Sequence, residues 1–169
     1  MRRQVYKVGV TLIELVVVLA ICLVLIVLGT QLVSGLHRIA TRAELALLTA
    51  TVRAEQQKAV VTGEERTVTF DRNGEGYATT TKNHRFQRGI LLSAPPGALG
   101  PPGNPRLPIE RSVTFPHNKL ICHRYGIIKP GTIYLGDAKQ QLFYALTAGV
   151  AQHSFLRTYA YRKKQWVPV

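Results

Sequence analysis

Acid is scarce in this sequence: nine Asp and Glu face 22 Lys and Arg, a formal net charge of +13 over 169 residues. Such an imbalance draws polyanions, whether nucleic acid, anionic lipid headgroups or acidic wall polymers. Two cysteines cannot build a disulfide framework, and Cys22 in an apolar run and Cys122 in the later domain are not expected to pair. Proline is missing from residues 10–62, so a long helix there escapes its commonest breaker. The sequence motifs of serine hydrolases, P-loop enzymes and zinc peptidases are absent too: there is no G-x-S-x-G, no P-loop and no H-E-x-x-H. His37, His84 and His153 stand isolated. His117, Cys122 and His123 come nearest to a metal cluster, but adjacent strand positions point to opposite faces, so Cys122 and His123 diverge. The chain is therefore expected to be no enzyme and to use no metal, cofactor or small-molecule substrate.

What is present is a concentrated apolar run. Leu15–Leu28 holds fourteen consecutive apolar residues, preceded by "MRRQVYKVG", with Arg2, Arg3 and Lys7 and no acid. From Val10 to Leu28 a helix measures about 28 Å, close to the roughly 30 Å of bilayer hydrocarbon. The basic flank orients the N-terminus to the cytoplasm, with the rest outside. A secretory signal peptide requires a small-residue cleavage site after the run, and "GTQLVSGL" supplies none. A plain single-span anchor accounts for the length and the charge but leaves Glu14 unexplained, since ionisable side chains inside such helices are rare and expensive.

The third reading uses Glu14. "GVTLIEL", Gly9–Leu15, resembles the class III leader of type IV pilin-like proteins: a short basic leader, a glycine, a cleavage point, an N-methylated residue, then T-L-I-E-L and a long apolar helix. The resemblance implies that a prepilin peptidase cuts between Gly9 and Val10 and methylates Val10. Phenylalanine or methionine is commoner than valine at that position in the family. It further implies that Glu14 of one subunit meets the new amino terminus of a neighbour and sets axial register in a filament. The bland alternative is that Glu14 snorkels to the interface or pairs with its own amino terminus.

Beyond the run, Val33, Leu36, Ala40, Ala43, Leu47, Ala50 and Ala54 recur at intervals of three and four and predict the buried stripe of a continuing helix. Arg38, Arg42, Glu44, Arg53, Glu55, Gln56 and Lys58 fall on its other faces. Gly63 is a suitable C-terminal cap. The remainder predicts short antiparallel strands at 66–70, 77–82, 85–92, 110–116, 119–125, 132–136, 140–147 and 151–161, with a glycine-rich hairpin turn at "DRNGEG". "SAPPGALGPPGNPRLP", residues 93–108, has six prolines and three glycines and is expected to be an exposed, solvated loop. The fold class is thus α+β: a long N-terminal helix, membrane-spanning in its first half, packed on a small antiparallel β-rich domain. Its parts are a leader at 1–9, an assembly helix at 10–30, an amphipathic continuation at 31–62 and the β-rich domain at 63–169.

"LLTATVRAEQQKAVVTGEERTVTF" and the late "GTIYLGD" and "QQLFYALTAGVAQHSFLRTY" look like the H-type minor pseudopilins of type II secretion and their counterparts in type IV pili and competence machines. The resemblance implies a minor structural subunit that starts assembly or sits at the filament tip. Its partners are other pilins and the prepilin peptidase, and its place is the bacterial cytoplasmic membrane. Removing residues 1–9 subtracts three cations and leaves 19 basic against 9 acidic side chains. Near the end, Arg157, Arg162, Lys163 and Lys164 alternate with Tyr159, Tyr161 and Trp166, the ingredients of nucleic-acid contact without sequence reading. Two alternatives therefore stand beside the pseudopilin: a DNA-uptake pilin using this tail, and a single-span protein with a basic binding domain that never polymerises.

Overall fold

The structure, a computed structural model, describes residues 11–100, 106–139, 141–149 and 155–169, with 29–36 described by backbone alone. The chain divides into two compact units, Met1–His37 and Arg38–Val169. Among the described residues one helix, α1 (Leu12–Thr62), is followed by nine strands. Thr11 caps α1: its hydroxyl accepts the Glu14 N–H at 3.4 Å and its carbonyl the Leu15 N–H at 3.2 Å. Gly63, at φ +69°, ends the helix in the left-handed conformation that glycine adopts without a Cβ clash.

The α+β class stands, but its membrane-spanning first half does not. Among the described residues no helix is long and apolar enough to cross a membrane. The apolar side chains described run from Leu12 to Leu28, about 26 Å of helix against a hydrocarbon layer of roughly 30 Å.

In the second unit, α1 buries a different stripe from the one expected. Thr41, Leu45, Leu48, Val52 and Ala59 are buried, whereas Ala43, Leu47, Ala50 and Ala54 face outward; of the expected stripe Ala40 packs partly buried against the core, and the side chains of Val33 and Leu36 lie outside those described. Two stripes competed for the core, and the one with Leu45, Leu48 and Val52 removes more apolar area from water than an alanine-rich one. That choice carries Glu44 and Glu55 inside, each 3% exposed. Both find partners. His84 Nε2 lies 2.8 Å from Glu44 and the Gln87 N–H donates to it at 3.1 Å, while Lys58 Nζ sits 2.8 Å from Glu55, so neither carboxylate is buried unpaired.

Two antiparallel sheets complete this unit. The first has the order β3–β2–β1–β5, from β1 (Arg66–Phe70), β2 (Gly76–Ala78), β3 (Asn83–Arg85) and β5 (Lys119–Cys122). The second has the order β4–β6–β7–β8–β9, from β4 (Ile90–Leu91), β6 (Gly131–Asp137), β7 (Phe143–Gly149), β8 (Phe155–Arg162) and β9 (Gln165–Pro168). β1 matches its expected limits, and the "DRNGEG" hairpin forms with Phe70 opposite Tyr77. The strand expected at 77–82 stops at Ala78, because the Thr79 hydroxyl accepts the Lys82 N–H at 3.1 Å and closes a turn. The strand expected at 85–92 is reduced to Arg85 at the end of β3 and to β4, and that at 110–116 to a single bridge, Val113 to Ile133. β9 was not anticipated.

Alternation gives the second sheet two faces. Ile133, Leu135, Tyr144, Leu146, Ala148 and Ala160 join Leu45, Leu48 and Val52 of α1 in the core. The intervening positions form an outer face in which registered rows run Thr132–Thr147–Arg157 and Tyr134–Ala145–Tyr159. Part of this face is covered by the proline-rich segment, where Pro95, Ala98 and Gly100 are buried while Pro96, Gly97, Leu99, Arg106, Leu107 and Pro108 are exposed; residues 101–105 lie outside the described residues. The segment folds back on itself through the Gly100 N–H to Leu107 carbonyl bond, 2.7 Å, and a Leu99–Pro108 bridge. Residues 112–114 then bind the edge of β6 through Thr114 N–H to Thr132 O, 2.9 Å, and Tyr134 N–H to Ser112 O, 2.8 Å. Prolines suit this cover because a capping loop needs few donors.

Candidate functional site

Gly9 and Val10, the expected processing residues, lie outside the described residues. Glu14 sits in the first turn of α1, where a carboxylate complements the positive end of the helix dipole. Thr11-Leu12-Ile13-Glu14 is the spacing of a capping box, a local role for Glu14 that was readable in the sequence and went unread. Around it the apolar side chains are open: Leu12 is 83% exposed and none of the large ones through Leu28 is less than half exposed. Among the described residues no ion pair involves Glu14.

The C-terminal residues separate into three environments. Arg162, Lys163 and Lys164 are exposed at the tip of the β8–β9 hairpin, where Arg162 pairs with Gln165 across a two-residue loop. Lys163 and Lys164 both have positive φ, +48° and +63°, the type I′ geometry that Asn-Gly supplies most cheaply. Tyr161 and Trp166 instead pack together, ring centroids 4.9 Å apart, with Trp166 5.5 Å from Tyr134. Both rings are partly buried. Arg157 lies elsewhere, with its guanidinium 4.4 Å over the Phe155 ring.

Arg157 lines a cleft of about 710 Å³ between residues 107–114 and the uncovered part of the outer face. The sheet contributes Thr132, Tyr134, Thr147, Phe155, Arg157 and Tyr159; the opposite wall carries Ile109, Glu110, Arg111 and Thr114. Tyr134 is fully buried beneath it and its hydroxyl donates to the Gly100 carbonyl at 3.4 Å. Burial pushes that phenol up to about 12, so Tyr134 is a neutral donor and not a base. Gly149 lets Phe155 settle: a Cβ there would lie 2.6 Å from the ring. The sequence reading named Arg157 but missed the wall. The signal was there, since the period-two alternation of "FLRTYAYR" puts Phe155, Arg157 and Tyr159 on one face.

A second polar cluster joins α1 to the first sheet. His84, thought isolated, contacts Glu44 and stacks near Tyr77 and Phe86 at centroid distances of 5.0 and 6.0 Å. Tyr77 shares a 3.1 Å hydrogen bond with Thr51, and burial, opposed by that bond and aided by Glu44, raises its pKa. With every polar member partnered, the cluster is a structural strut. Cys122 and His123 do point apart: Cys122 is buried, its thiol pushed up to about 12 by burial and then by Glu55, while His123 Nδ1 lies 2.5 Å from Glu65. No protein-family model, curated protein or solved structure matches the chain.

Proposed function

We propose that the chain is a minor subunit of a type IV pilin-like or type II secretion filament, processed after Gly9 and assembled through its N-terminal helix. The observation that carries this reading is the stretch Leu12–Leu28, apolar on every side and open in the single chain, with Glu14 its lone carboxylate. An exposed apolar surface of that extent requires a partner, and like helices from neighbouring subunits supply one. A free Val10 ammonium from one subunit then meets Glu14 of the next, so that neither charge is left alone in apolar surroundings. The proposal includes assembly at the bacterial cytoplasmic membrane, on whose inner side the basic leader meets the peptidase.

Mass spectrometry of the mature protein tests the processing: the expected species lacks residues 1–9 and carries a methylated Val10, and a chain retaining Met1 rejects it. Glu14→Gln and Glu14→Ala then divide the roles of the carboxylate. Glutamine keeps the capping box but not the charge, so both variants should fail to enter filaments; if glutamine enters normally, Glu14 serves only the helix end.

A second reading, polyanion contact in a DNA-uptake filament, is favoured by the hairpin tip alone. Three consecutive exposed cations offer phosphates contact without base recognition. Retention of the full chain on duplex DNA should weaken with salt and fall when Arg162, Lys163 and Lys164 are all replaced by glutamine. Unchanged retention removes this reading and leaves the filament subunit in place.

A further inference from the structure

The cleft on the outer face is unaccounted for by filament assembly, and its chemistry is specific. Its volume, about 710 Å³, falls among small-molecule sites, which pair an apolar lining with a few placed polar groups. The apolar part comes from Ile109, Pro130, Phe155 and Tyr159. Cations come from both walls, Arg157 on β8 and Arg111 opposite. Among the described residues neither guanidinium forms an ion pair. Arg157 is held in place by the Phe155 ring beneath it, so little freedom is lost when it takes a ligand. Glu110 on the same wall disfavours a multiply charged anion through like-charge repulsion. A guanidinium fork matches a planar carboxylate in a bidentate pair.

We propose that this cleft binds a small organic carboxylate with an apolar body, the carboxylate between Arg111 and Arg157 and the body along Phe155 and Tyr159. The inference goes beyond filament assembly and does not depend on it. Thr147, registered between Thr132 and Arg157, lines the floor with a hydroxyl that bonds the Arg157 carbonyl at 3.4 Å.

The chain holds one tryptophan, Trp166, whose ring neighbours the cleft-lining Tyr134, so its emission reports occupancy and is blind to ligand on the tryptophan-free apolar stretch. Titration of the full chain with 4-phenylbutyrate should give a saturable change in that emission. Acetate, which lacks the body, and 4-phenylbutanol, which lacks the charge, should each bind at least about tenfold more weakly. Arg157→Gln and Arg111→Gln should each weaken 4-phenylbutyrate by about tenfold, while Arg162→Gln, outside the cleft on the same strand, should leave it unchanged. Unliganded emission and the denaturation midpoint, matched to the parent, establish that each variant is folded. An alcohol as good as the acid, an equal loss in Arg162→Gln, or no saturable response to 4-phenylbutyrate overturns the proposal.

Discussion

The two described stretches of α1 obey different rules. Residues 12–28 are apolar on every side, yet no side chain there is buried. Residues 37–62 are mixed in character, and they bury two carboxylates and two threonines together with their leucines. Hydropathy alone ranks the first stretch as the more interior. Partners decide otherwise: the second joins its leucines to a core shared with the strands, whereas among the described residues the first buries no side chain. An apolar stretch without a partner is a statement about assembly, whereas a buried acid with a partner is a statement about the fold.

The contrast breaks most visibly under truncation. Leu48, with no exposed surface and set in the core cluster, should lose about 2–5 kcal/mol of stability as Leu48→Ala, read from denaturant unfolding by Trp166 emission. Leu19, 56% exposed, should change that midpoint by less than about 0.5 kcal/mol as Leu19→Ala and should reduce entry into filaments instead. A stability loss in Leu19→Ala equal to that in Leu48→Ala would mean that residues 12–28 are packed within the single chain, and the comparison would fail.

Next in size is the buried acid. Glu44→Ala strands the Gln87 N–H and takes the partner from His84, which should destabilise by about 1–3 kcal/mol. Glu14→Ala, at an exposed helix end, should cost only about 0.3–1 kcal/mol through the carboxylate lost from the positive end of the helix dipole. Alkaline titration probes the core of the second unit. The folded state keeps the Cys122 proton up to about 12, against an ordinary value of 9.0, so this contribution is whole below pH 9 and is lost as pH rises from there toward 12. Tyr134 adds to the decline above pH 10. Cys122→Ala should flatten the fall in the unfolding midpoint between pH 9 and 11; an unaltered slope would show that the thiol ionises freely.

Legibility followed locality. The end of α1 at Gly63, β1 and the "DRNGEG" hairpin were readable because a glycine or a short alternation determines each without help from the rest of the chain. The buried helical stripe was not, since two stripes of similar period were present and the sheets that chose between them lie far along the sequence. The three buried positions of the proline-rich segment were hidden for the same reason: six prolines exclude helix and central strand, but composition does not say that Pro95, Ala98 and Gly100 turn inward. The cleft was half legible. Alternation placed Phe155, Arg157 and Tyr159 together; the facing Arg111 came from a segment whose path only the edge of β6 determines.

The smallest effect concerns the turn that hid β9. A loop of Lys163-Lys164 gives no hairpin signal because lysine is unfavourable at positive φ, and each residue there stores about 1 kcal/mol that glycine avoids. Replacing the pair by Asn-Gly should therefore raise stability by about 1 kcal/mol, read from the unfolding midpoint, while removing two of the three tip cations. If polyanion contact is what the strained turn serves, the same variant should elute from duplex DNA at lower salt, so that stability and retention move in opposite directions. A rise in the midpoint with retention intact would leave the lysines a turn without a function. No rise at all would mean that the loop is relaxed despite its angles, and the contrast between a strained tip and a settled sheet would disappear with it.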